Sequence, residues 1–162
     1  MQNPEPARTE RAASFTPRAQ SLLVFARKEA ERLDSHYVET AHLMLAMVRQ
    51  GEGTAVAMLN KQGLPLETLR AEMEKVLQAA GPIHRGPNQE IPSSIPYDPR
   101  VHKVLALAAR EARALNSDYV GTEHILLGLL QEGDGLPVRA LKNLGLDAKN
   151  LRKRILKQLR CS

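Results

Sequence analysis

The sequence has no tryptophan, only 3% aromatic residues and a single cysteine in 162 residues. The core must therefore be assembled from Leu, Ala, Val, Ile and Met, residues that pack between helices, and an all-helical fold is expected. Cys161, next to the last residue, has no second cysteine to pair with, which excludes an intrachain disulfide scaffold. The first residues, MQNPEPARTERAAS, contain no apolar core of a signal peptide, and no stretch of 18 uninterrupted apolar residues follows. The chain reads as cytosolic and soluble, with no membrane partner. No GxxxxGK[ST] sequence is present, so the phosphate-cradling loop of an ATPase is missing and no nucleotide cofactor is expected.

What the chain does contain is a duplication. Residues 15–77 align without a gap on residues 97–159, with 23 identities in 63 positions, where about four would arise by chance. Residues 1–14 read as a flexible tail, 15–80 as the first repeat, 81–96 as a linker rich in proline and glycine, and 97–160 as the second repeat. Two copies of this length imply a fused pair with pseudo-twofold symmetry rather than a solenoid.

Punctuation within the copies predicts four helices in each, eight in all. Thr16-Pro17 and Asp98-Pro99 each place a capping side chain before a proline at the first helical position, where the missing N–H would have had no partner. Leu22, Leu23, Ala26, Ala30 and Leu33 then form one stripe, and Val104, Leu105, Ala108, Ala112 and Leu115 form its counterpart. Thr40 and Thr122 are expected to cap a second helix whose apolar HLMLAMV or HILLGLL is buried on most sides. Gly51 and Gly133 close it, a third short helix ends near Gly63 or Gly145, and a fourth begins at Leu66 or Asp147.

No catalytic constellation emerges. His42 and His124 occupy the same repeat position but have no His or Cys three or four residues away, so packed, hydrogen-bonded histidines are expected rather than metal ligands. Ser35 and Ser117 lack a nucleophile-elbow context. Arg18 and Arg100 follow the helix-start prolines, and Glu29 and Glu111 further along read as members of a solvated face. The formal charge of +5 is concentrated in KNLRKRILKQLR, Lys149 to Arg160, which reads as an amphipathic final helix with a solvated basic face. Without interleaved aromatics it is a poor single-strand binder, and no specific nucleic acid is expected as a partner.

The segments FTPRAQ, SHYVETAHLMLAMVRQGEG and YDPRVHKVLALAAREARALNSDYVGTEHILLGLLQEGDG resemble the duplicated N-terminal domain of the Clp/Hsp100 ATPases, ClpC-like in type, over about residues 14–160. The resemblance implies a non-catalytic module that receives adaptors and marked substrates for an unfoldase and its protease, as an excised domain or as a stand-alone protein. The alternative is an accessory factor that docks on the Clp assembly and recruits no substrate. Gram-positive relatives can capture phosphoarginine, and the implied residues are the threonine of the helix start and the glutamate of TEH. Carried onto this chain, the candidate partner-binding residues are Thr16, Arg18, Asp98, Arg100 and Glu123. Paired within each copy, Thr16 stands with Ala41 and Asp98 with Glu123, so neither pocket keeps both residues and phosphoarginine or peptide binding is expected to be weak.

Overall fold

The computed structural model describes residues 14–81 and 94–161. The expected tail up to residue 13, and most of the linker, lie outside the described residues. The first repeat contains α1 (Pro17–Arg32), α2 (Thr40–Gln50), α3 (Thr54–Lys61) and α4 (Leu66–Ala80); the second contains α5 (Pro99–Ala114), α6 (Thr122–Glu132), α7 (Leu136–Asn143) and α8 (Ala148–Cys161). The fold is all-α. Its two helix starts are capped as expected: the Ala19 amide donates to Thr16 Oγ1 at 3.1 Å, and the Arg100 amide to Asp98 Oδ1 at 2.9 Å.

Both first helices stop for the same reason. Asp34 and Asn116 adopt left-handed φ of 56° and 59°, and Ser35 and Ser117 then donate back to Ala30 and Ala112 at 2.8 Å. This closes a Schellman turn with residue types that tolerate the left-handed region better than most. The second helices end in left-handed Gly51 and Gly133.

The central α2 and α6 carry nearly continuous buried faces, Thr40 to Val48 and His124 to Leu130. Helix α1 packs on α2 and α5 on α6, while α3 lies on α6 and α7 on α2, so the third helix of each copy serves the core of the other. Gly128 sets the closeness of the α5–α6 crossing, because a Cβ there would stand 2.5 Å from the Val104 carbonyl oxygen.

The two copies are also laced together through backbone. Thr16 donates to Val120 at 3.0 Å and Val120 to Ser14 at 2.7 Å; Val38 donates to Pro96 at 2.8 Å and Asp98 to Val38 at 2.9 Å. Each copy's entry segment thus pairs in parallel with the residues leading into the other copy's second helix. These bridges bring the start of α1 beside the start of α6.

The expectation for Thr40 and Thr122 needs correction. Each is the first residue of its helix, not the cap, and the capping positions belong to Glu39 and Gly121. Thr122 instead caps across the repeat boundary: its buried Oγ1 accepts from the Ala55 amide, in the first turn of α3, at 3.3 Å. Thr40 lies beside Gly135 at the mirrored place, but the residue equivalent to Ala55 is Pro137, which has no N–H to give. Thr122→Ala should therefore cost about 1 kcal/mol and Thr40→Ala less, read from urea midpoints at constant slope. Equal costs would contradict the cross-repeat cap.

Candidate functional site

The cross-repeat bridges determine which side chains meet. The α1 start supplies Thr16 and Arg18, the α6 start supplies Gly121, Thr122 and Glu123, and the α3 start supplies Gly53 and Thr54. Together they line an open cavity of about 520 Å³. The Glu123 side chain is 22% exposed, so its carboxylate is partly withdrawn from water yet reachable. Glycines make the room. A Cβ on Gly121 would lie 2.4 Å from Glu123 Oε1, and one on Gly53, already at φ 110°, would lie 2.6 Å from Arg18 Cδ.

Pairing Thr16 with Ala41 within one copy is thus overturned by the fold, which places Thr16 with Glu123. Asp98 pairs instead with the segment of Val38 that leads to Ala41. The duplication therefore yields one site that keeps threonine and glutamate, and a mirrored position that has lost both. There Glu39 stands where the second copy has Gly121, and Ala41 where it has Glu123. The mirrored arginine is engaged locally, Arg100 Nη1 donating to the Asp134 carbonyl at 2.7 Å with Nε 3.8 Å from buried Glu132. Arg18, in contrast, pairs among the described residues with the exposed Glu52 carboxylate at 3.1 Å, a solvent-screened pair that a ligand can displace.

The two histidines hold helix ends. His42 Nδ1 accepts from the Glu39 amide at 2.8 Å and His124 Nδ1 from the Gly121 amide at 2.9 Å. Burial, assisted by the Arg32 charge, lowers the His42 pKa to about 4. His124 is lowered too, by burial, against the opposing pull of Glu123 and Glu111. His124, itself buried, thereby holds the start of α6, the turn that carries Glu123.

Glu29 and Glu111 do not belong to a solvated face. Both are buried, Glu29 between Arg32 at 2.9 Å and Arg49 at 3.0 Å, and Glu111 against Arg152 of α8. They are neutralised from different elements in the two copies. The basic final helix follows expectation, with Leu151, Ile155 and Leu156 buried and Lys149, Lys153, Arg154, Lys157 and Arg160 exposed.

Among the described residues no group of three or more His, Cys, Asp or Glu could hold a metal ion, and no helix is long and apolar enough to cross a membrane. The architecture is an all-α pair of four-helix repeats with an open cavity between the copies. The chain belongs to the Clp repeat (R) N-terminal domain family, whose model matches residues 14–144 and 96–161. It is a non-catalytic domain fold. The negative regulator of genetic competence ClpC/MecB of Bacillus subtilis is 43% identical over 145 residues, 90% of this chain and 17% of that protein. The chaperone protein ClpB of Oceanobacillus iheyensis is 41% identical over the same share of each. The chain thus spans about a sixth of the length of these curated relatives. The N-terminal domain of ClpD from Arabidopsis thaliana superposes with TM-score 0.70 at 25% identity, covering 90% of this chain and 94% of that one. The ClpV N-domain, solved in complex with a VipB peptide, has the same fold, with TM-score 0.66 at 15% identity over 98% of this chain and 96% of the other.

Proposed function

We propose that this protein is a protein-binding module of a Clp system that engages adaptors or substrates, and that the cavity between the repeats receives an arginine-derived side chain, phosphoarginine above all. The observation that carries this reading is that Thr16 and Glu123, contributed by different repeats, line one cavity. A guanidinium is planar and permanently charged, and a partly desolvated carboxylate is its natural acceptor. The Thr16 hydroxyl and the Arg18 guanidinium stand at the same cavity, where they supply donors and positive charge for a phosphate. The two ends of a zwitterionic group would each meet a complement. Peptide engagement by the ClpV N-domain, a neighbour in fold, supports the coarser reading that such modules take protein segments.

Calorimetric titration of free phosphoarginine should give one site per chain. Glu123→Gln, which keeps shape and removes charge, should weaken it by about ten- to a hundredfold, the worth of a charge-assisted contact. The double variant Ala41→Glu with Asp98→Thr should leave the first site unchanged, since neither residue lines it. Absence of binding by the unaltered protein, or binding indifferent to Glu123→Gln, would overturn the proposal.

A further inference from the structure

A second cavity lies at the opposite end of α6, in the second repeat alone. It is an open cleft of about 800 Å³ between the end of α6, helix α7 and the start of α8. Its floor is apolar, formed by Leu130, Val138, Leu146 and Ala148, and its rim carries Lys142, Lys149, Arg152 and Lys153. Asp147 is the one acidic residue lining it, and its carboxylate is occupied as the α8 cap, accepting from the Asn150 amide at 3.1 Å. Arg152 is committed to buried Glu111. The three lysines are exposed.

The duplication supplies an internal control. The rim residues Lys142, Lys149, Arg152 and Lys153 correspond in the first repeat to Asn60, Glu67, Arg70 and Ala71, where Arg70 is spent on Glu67 and Glu74 at 3.0 Å each. The same fold position is therefore neutral in one copy and strongly basic in the other. Ala148 corresponds to Leu66, which is half-buried in the first repeat. The second copy thus has at this floor position a side chain three carbons smaller than the one packed against the core in the first.

We infer that this cleft is a docking site, separate from the cavity at Glu123, for an acidic amphipathic segment of a partner protein whose apolar side chains enter between α7 and α8 while its carboxylates meet the lysine rim. Charge complementarity selects the sign of the occupant. The apolar floor selects protein over nucleic acid, because it offers neither aromatic stacking platforms nor a purely phosphate-matching surface.

Fluorescence anisotropy with a labelled Glu- and Leu-rich amphipathic peptide tests this, beside a Gln-for-Glu control peptide and a labelled single-stranded DNA oligonucleotide. The acidic peptide should bind, and binding should weaken as salt rises. Lys149→Glu with Lys153→Glu should weaken it about tenfold or more. Ala148→Leu, which enlarges a floor side chain to the residue of the first repeat and alters no charge, should weaken it by a similar factor. All variants should still bind phosphoarginine as the unaltered protein does, or, should that ligand not bind at all, retain its melting curve, which separates failure here from failure at the other cavity. The inference is overturned if the Gln peptide or the DNA binds as tightly as the acidic peptide, or if Ala148→Leu leaves affinity unchanged.

Discussion

Arg152→Met should cost about 3 kcal/mol at neutral pH, the usual scale for stranding one member of a buried ion pair. Glu111 is 6% exposed and faces Arg152 across the α5–α8 contact. Methionine keeps the packing volume but leaves the carboxylate without its cation, so it must either stay charged in a poor medium or take up a proton. Restoring neutrality should therefore rescue much of the loss, and the double variant Arg152→Met with Glu111→Gln should be clearly more stable than the single one. The first repeat provides a contrast, because Glu29 has two arginine partners. Removing Arg49 alone should cost less than removing Arg152. Urea unfolding of the four proteins measures all of this. A double variant no better than Arg152→Met would show that lost packing, not a stranded charge, sets the cost.

Acid should weaken the fold well above the range in which carboxylates titrate. The folded His42 pKa of about 4 lies below its ordinary 6.5, so between those values the unfolded chain binds the extra proton and the folded one does not. Stability from this group is complete above pH 6.5, declines as pH falls, and levels off near pH 4, a loss of roughly 3 kcal/mol. The direction for His124 is the same. The structural reason is shared: Nδ1 accepts a backbone amide in each case, and a proton placed there breaks that bond. His42→Gln retains an acceptor at a position where glutamine can close a capping box and removes the titration. It should flatten most of the stability slope between pH 6.5 and 4.5, and an unchanged slope would assign the effect elsewhere.

Much of the fold is legible in the residues because local signals agree. Thr16-Pro17 and Asp98-Pro99 mark helix starts, Gly51 and Gly133 mark helix ends, and the apolar stripes face inward. The partners that Thr122, Glu29 and Glu111 find in Ala55, Arg49 and Arg152 are not legible, since these lie on other elements and depend on how the helices pack. Thr122 stands at the head of an apolar run and looks like that helix's own cap. Its acceptor oxygen is used 67 positions away in sequence, at Ala55. The same limitation governed the candidate site. Five residues follow from the family resemblance, but comparing copies in register pairs Thr16 with Ala41, whereas the backbone bridge from Thr16 to Val120 puts it with Glu123. The walls of the cavity were equally hidden, as Gly53 and Gly121 look like ordinary turn residues until the space they leave is seen filled by Arg18 and Glu123.

Amide chemical-shift mapping during a phosphoarginine titration tests that exchange between copies. Thr16, Arg18, Gly121 and Glu123 should shift together with a single affinity, while Asp98, Arg100, Glu39 and Ala41 stay still. Shifts confined to one repeat, or centred on Asp98 and Ala41, would contradict it.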